Sequence, residues 1–229
     1  MASDPNLPLL ESAARKLKPF LEEIVFIGGA TLGLLITDTG AAPIRGTKDV
    51  DVIAEIVTIS DYLIFSQRLR EADFTEDAGE NPILCRWHND GLLLDVLPID
   101  KDVLGYTNIW YKGALNASDR FTLPLGPVIR VIAAPFFLGT KMEAFRGRGN
   151  RDFFASHDLE DFIAVIDGRD SILEEVRNSP NELRKYLADA AQELLVEDRF
   201  RDALPGYVMG EDGRVPLIIN TLEEIAQLG

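Results

Sequence analysis

Cysteine, histidine and tryptophan are scarce in this 229-residue chain, at one, two and two residues. A lone cysteine, Cys85, excludes an intramolecular disulfide and fits a reducing compartment. His88 and His157 stand apart from each other and from any second ligand pattern, which argues against a zinc site. Positive charge is also short. Lys and Arg number 23 against 38 Asp and Glu, a formal charge of -15, and that balance repels long duplex nucleic acid. Long apolar runs are missing as well: Ile24 to Ile36 and Val128 to Leu138 are broken by Gly or Pro and fall short of a bilayer span, so no membrane association is expected. Met1 to Pro8 shows no basic segment followed by an apolar one, so no secretory signal is expected and the expected location is the cytoplasm. What is present is ordinary. Hydrophobic residues at 46% and charged residues at 27% allow a buried core and argue against disorder or a coiled coil.

Along the chain, helical spacing of apolar residues predicts a helix from Pro8 to Ile24. A short apolar run, Val25-Phe26-Ile27, then meets Gly28-Gly29, and Ala30 to Ile36 reads as a buried helix. Asp49 to Ile56 is Val- and Ile-rich and reads as a strand; Ser60 is the expected N-cap of a helix through Arg70. Ile83 to His88 and Leu92 to Ile99 flank Asn89-Asp90-Gly91, a hairpin turn signal because Asn and Gly tolerate positive φ. Trp87, Trp110 and Tyr111 fall in strand-like segments and are expected to pack. Beyond Val131 the pattern turns helical: Ala133 to Arg148, Asp158 to Asp167, Ser171 to Arg177, Asn181 to Phe200 and Leu217 to Leu228. The expected organisation is an α/β-type core over residues 1–127 and a helical region over 128–229, divided at Leu123 to Pro127.

The sharpest chemical signal is Asp49-Val50-Asp51-Val52. On a strand, Asp49 and Asp51 share one face while Val50 and Val52 take the other. Two carboxylates so placed repel unless a cation joins them, and hard divalent ions that also bind phosphate prefer such oxygen ligands. Gly28-Gly29, between a strand and a helix, lets backbone amides approach an anion. Asp95 sits inside the apolar strand Leu92 to Leu97, where a charge is costly unless paired or bound to a cation. Each signal has a plainer reading: a solvated strand end, a simple turn, an edge residue.

Taken in order, Ile27-Gly28-Gly29, Asp49-Val50-Asp51-Val52 and Leu94-Asp95-Val96 resemble the signature of the DNA polymerase β-type nucleotidyltransferase superfamily. Arg45-Gly46-Thr47-Lys48-Asp49-Val50-Asp51 is similar to the version carried by the abortive-infection toxin nucleotidyltransferases, as are Lys141 to Arg148 and Asp158-Leu159-Glu160-Asp161 downstream. The chain departs from that pattern at Ala30-Thr31-Leu32 and at His157, where lysine is usual. The resemblance covers about Phe26 to Asp167 and implies an α+β fold, a mixed β-sheet core flanked by helices with a helical C-terminal region. It also implies transfer of a nucleoside monophosphate from a triphosphate, ATP among them, to an acceptor, with pyrophosphate released.

On that resemblance, Asp49, Asp51 and Asp95 hold two Mg²⁺ (or Mn²⁺) ions, and Asp95 accepts the attacking group's proton. Gly28 and Gly29 hold the triphosphate, with hydroxyls from Thr31 and Thr47, and Lys141 and Arg148 are its further cationic contacts. Arg146, Arg148 and Arg151 receive phosphate or an RNA end, or else pair with Asp152, Asp158 or Glu160. Asp158 and Asp161 orient Lys141 or Arg148, or simply compensate a helix dipole. The acceptor stays open: a tRNA or other RNA end, a protein hydroxyl or a small amine-bearing molecule. A toxin–antitoxin pairing with a protein antitoxin is a further implication. Two rival classes remain, a non-catalytic nucleotide-binding or protein-interaction module on the same fold and a metal-dependent phosphohydrolase.

Overall fold

The computed structural model describes residues 4–78, 82–149, 151–208 and 213–229, which form two compact units. One comprises Asp4–Gly33 and Arg45–Ala133, the other Leu34–Ile44 and Ala134–Gly229. The fold is α+β, with a mixed sheet in the first unit and helices in the second.

The first unit opens with α1 (Leu7–Lys16), whose basic last turn, Arg15 and Lys16, suits the negative end of the helix dipole. The expected helix to Ile24 stops early because Pro19, which lacks an amide hydrogen, forces a short 3₁₀ turn over Lys18–Phe20. Strand β1 (Ile24–Ile27), four buried apolar residues, then leads to Gly28. The segment expected as one helix is a 3₁₀ turn, Gly29–Thr31, and a single turn of α2 (Leu32–Leu35). The chain leaves the unit within α2 and returns at Arg45.

Next come β2 (Asp49–Ala54) and α3 (Ile59–Glu71). Thr58, not Ser60, caps α3: its hydroxyl accepts from the Asp61 amide at 3.1 Å, and the Asp61 carboxylate accepts from the Thr58 amide at 2.9 Å. This reciprocal box satisfies two orphan donors where Ser60 would satisfy one. A short β3 (Thr75–Glu76), β4 (Arg86–Asn89) and β5 (Leu92–Pro98) follow. Asp90 and Gly91 both have positive φ between β4 and β5, the hairpin expected from Asn-Asp-Gly. Then come α4 (Lys101–Leu104) and α5 (Tyr111–Asn116), where Trp110 and Tyr111 start a helix instead of lying in a strand.

The sheet extends past the expected division. β6 (Ser118–Thr122) and β7 (Val128–Ile132) flank Leu123 to Pro127, and β7 alternates buried Ile129 and Val131 with Arg130, as a strand requires. The strand order is β3-β4-β5-β2-β1-β7-β6, with β2–β5 and β1–β7 parallel and the other pairs antiparallel. Helix α1 packs on β2 and β5, and α5 on β1 and β2.

The second unit contains α6 (Ala134–Arg146), α7 (His157–Gly168), α8 (Ile172–Arg177), α9 (Asn181–Val196), α10 (Asp198–Tyr207) and α11 (Arg214–Ala226). The expected continuous helix from Asn181 to Phe200 breaks at Glu197, which is extended and whose carboxylate accepts from the Arg199 amide to start α10. Helix α6 packs on α7 and α9, and α11 on α7 and α9. The segment after α2 is tied down within this unit. Thr37 and Asp38 donate backbone bonds to the Gly168 carbonyl at 2.8 and 2.9 Å, and Arg214 bridges Asp38 and Asp167 at 2.8 and 2.7 Å.

Candidate active site

The strand register assembles the carboxylates. In β2, Val50 and Val52 are fully buried, so Asp49 and Asp51 project to the opposite face. Asp51 is the register partner of Asp95 on the parallel strand β5, which puts the third carboxylate on that same face. Asp95 is 9% exposed, a deeply placed charge. The three residues singled out in the sequence therefore stand on two adjacent strands of one face.

Gly28 lies against this face. Its φ of 72° and ψ of -171° belong to a region only glycine occupies readily, and a β-carbon there would overlap the Asp51 carboxylate. Gly28→Ala is thus expected to lose about 1–3 kcal/mol of stability from backbone strain alone and to displace Asp51. Urea denaturation of both proteins checks it; unchanged stability would show that the turn relaxes freely.

Threonines and an asparagine lock the surrounding loops. The Thr31 hydroxyl donates to the Gly28 carbonyl at 2.9 Å, closing the turn after β1. The Thr47 hydroxyl donates to Asp49 Oδ1 at 2.8 Å, fixing that carboxylate. Asn6 is 1% exposed and clamps both loops: Nδ2 donates to the Arg45 carbonyl at 3.1 Å and to the Gly29 carbonyl at 3.4 Å, while Oδ1 accepts from the Thr47 amide at 2.8 Å. Nothing in the local sequence marks Asn6, because its partners lie 23 to 41 residues away.

Arg86 is the other participant that no sequence motif marks. It is the cross-strand partner of Asp95 in the β4–β5 hairpin. Its Nε and Nη2 donate to the two Asp95 oxygens, both at 2.8 Å, and Nη2 also reaches Asp49 Oδ2 at 3.0 Å. The hydrogen bond to Asp95 and the nearby carboxylates push the guanidinium still further above its ordinary range. Counting back from Asn89-Asp90-Gly91 pairs 89 with 92 and therefore 86 with 95, so the hairpin signal contained this contact.

The donor set, three carboxylates on one face, suits a hard divalent cation in kind. The side chains are not gathered around a common point. Among the described residues no group of three or more His, Cys, Asp or Glu is drawn together as a metal cluster, and two of the three carboxylates are turned onto Arg86. The residues fit the ion in chemistry and strand placement, with Arg86 interposed.

Lys141 and Arg148, the other expected phosphate contacts, belong to the second unit. Lys141, on α6, is buried and ion-paired with Asp161 at 2.6 Å and Asp158 at 3.2 Å. Arg148 is exposed along its length and places Nε and Nη2 on Asp158, both at 3.2 Å. Burial pushes the Asp158 carboxyl up, but Lys141 and Arg148 outweigh it and hold it below the usual range. Arg146 and Arg151 both pair with Glu193 on α9, an acceptor the local sequence does not reveal. His88 pairs with Asp77, and His157 with Glu160. Cys85 is buried, and its desolvated thiol is pushed up, away from the reactive thiolate. Trp87 is fully buried, as expected for packing. Among the described residues no helix is long and apolar enough to cross a membrane.

No family model matches the chain, and no curated protein matches it. Among solved structures it is similar to the crystal structure of an antigenic nucleotidyltransferase-like protein from Paracoccidioides brasiliensis. The sequence identity is 20% over 92% of this chain and 94% of that one, with a TM-score of 0.49.

Proposed function

We infer that the chain is a nucleotidyltransferase, which moves a nucleoside monophosphate from a nucleoside triphosphate to an acceptor. The observation that carries this reading is the placement of Asp49, Asp51 and Asp95 on one face of β2 and β5, beside the positive-φ turn at Gly28. In the transfer, an acceptor hydroxyl or amine forms a bond to the α-phosphorus, the α–β phosphoanhydride bond breaks, and pyrophosphate leaves. Asp95 takes the acceptor's proton, a role its buried position and separate strand support. Thr47 keeps Asp49 oriented, and the Asn6 clamp holds the Gly28-Gly29 turn to Arg45–Thr47. Mg²⁺ or Mn²⁺, held by Asp49, Asp51 and Asp95, would supply charge neutralisation for the phosphoryl oxygens.

The acceptor is an RNA end, such as that of a tRNA, a protein hydroxyl or a small amine-bearing molecule; the formal charge of -15 suits a cationic small molecule, and the Arg45–Asp51 and Lys141–Asp161 motifs suit an RNA end. A toxin restrained by a protein antitoxin is the finer role those same motifs carry. A second reading, a non-catalytic nucleotide-binding or protein-interaction module, is favoured by one observation. Arg86 neutralises Asp49 and Asp95, so the carboxylates have a structural reason to coexist without catalysis.

Thermal unfolding with each triphosphate and Mg²⁺ or Mn²⁺ tests nucleotide binding. Ligand at about 100 times its dissociation constant is expected to add roughly 2.7 kcal/mol, or about 5–10 °C for a chain of this size. A melting temperature unmoved by all four triphosphates would overturn the reading. Labelled triphosphate offered with total RNA, protein extract or amines then separates transfer from binding alone.

A further inference from the structure

Arg86 belongs to no sequence motif, yet the structure places it against the two carboxylates Asp49 and Asp95. Its bidentate grip on Asp95 and its third bond to Asp49 make it an internal counter-ion on the carboxylate face. A guanidinium does not lose its proton at accessible pH, so the contact is relieved only if the side chain moves to another anion. The Arg86 side chain is 21% exposed, which leaves it a solvent-facing edge. A planar fork of donors matches phosphate oxygens as well as it matches a carboxylate.

We propose that Arg86 gates the metal site: its guanidinium occupies Asp49 and Asp95 until a triphosphate draws it away, so that divalent ion and triphosphate bind as a coupled pair. This rests on the nucleotidyltransferase reading and adds the ion's competitor within the chain. The competition follows from the bonds themselves. A divalent ion needs lone pairs on Asp49 and Asp95 that now accept hydrogen bonds from Arg86, and a guanidinium forced off both carboxylates without a new partner is left desolvated and unpaired. A triphosphate supplies that partner.

Two measurements on the folded full-length protein are expected to move in opposite directions in Arg86→Gln. Mn²⁺ affinity without nucleotide, followed by electron spin resonance of the free ion, is expected to tighten about tenfold or more. Triphosphate affinity in the presence of a chelator, followed by calorimetry, is expected to weaken about 10- to 100-fold, as for the loss of charge-assisted hydrogen bonds. A merely structural arginine would weaken both. Should Arg86→Gln lose its fold by circular dichroism, Arg86→Lys serves instead, since a single ammonium nitrogen cannot reproduce the two-nitrogen fork that grips both Asp95 oxygens while reaching Asp49; its Mn²⁺ affinity is expected to rise severalfold. Equal Mn²⁺ affinity in parent and variant overturns the gate and leaves the nucleotidyltransferase reading standing. Binding of Mn²⁺ by neither form, with or without triphosphate, overturns both.

Discussion

Asp95→Asn is expected to bind triphosphate and fail to transfer it. The substitution is nearly isosteric at a site that is 9% exposed, so the sheet retains its packing. It removes the negative charge and the proton acceptor together. Loss of a general base typically costs about 10²–10⁴ in rate, and an interaction made only in the transition state lowers turnover without loosening the bound substrate. Asp49 and Asp51 differ. They lie on β2 next to Gly28 and Thr47, the proposed triphosphate site, so Asp49→Asn or Asp51→Asn is expected to weaken both binding and transfer. Arg86 adds a check. Asparagine at 95 offers one acceptor in place of the two that the guanidinium now holds, so nucleotide-free Mn²⁺ binding is expected to change less than in Arg86→Gln. Calorimetric titration and a transfer assay on the same samples decide it. If Asp95→Asn transfers at the parent rate, Asp95 is a bystander and only the Asp-x-Asp strand remains. If the parent binds nucleotide yet transfers to no acceptor, the non-catalytic module is the better reading.

The legible parts of the fold are those governed by short-range rules. Alternation in Asp49-Val50-Asp51-Val52 fixes which side chains share a face, and Asn89-Asp90-Gly91 fixes a hairpin and its register. The illegible parts depend on distant partners or on competing caps. Thr58 outcompetes Ser60 because Asp61 completes a box with it, which requires weighing two residues at once. The pairing of β7 with β1, Phe26 with Val131, spans a long sequence separation that no local pattern reveals. Helical periodicity around Tyr111 is masked by aromatic residues with strand preference. At the site, the three acids were readable from type and order, whereas Asn6 acts through backbone groups that no local motif encodes. Lys141 was readable as a notable lysine, and Asp158 and Asp161 as its neighbours, but burial of all three is a tertiary fact.

That burial sets a large expected stability change. Lys141 is 7% exposed and Asp161 1%, and its ammonium also stands 5.5 Å from the centre of the Phe137 ring. Lys141→Met keeps the length and the apolar stem but removes the charge, leaving Asp158 and Asp161 inside the α6–α7 packing without the ammonium that pairs with both. Removing one partner from a buried ion pair costs about 3–5 kcal/mol, and a loss of that order is expected at pH 7. The pH dependence has a definite sign. In the parent, Asp158 is held below its ordinary range, so its contribution is present above the unfolded pKa and is lost as pH falls through the lower folded value. In Lys141→Met the pull of Lys141 is gone while Arg148 stays, so burial moves the Asp158 carboxyl upward from its depressed parent value and less stability is lost on acidification. The gap between the two proteins should therefore narrow as pH falls from 7 through the carboxylate range. Urea denaturation at several pH values measures it, and Asp161→Asn in the Lys141→Met background is expected to recover part of the loss. A variant as stable as the parent at pH 7 would show that the cluster does not hold α6 to α7. Triphosphate binding weakened more than monophosphate binding in that stable variant would instead assign the lysine to the phosphates.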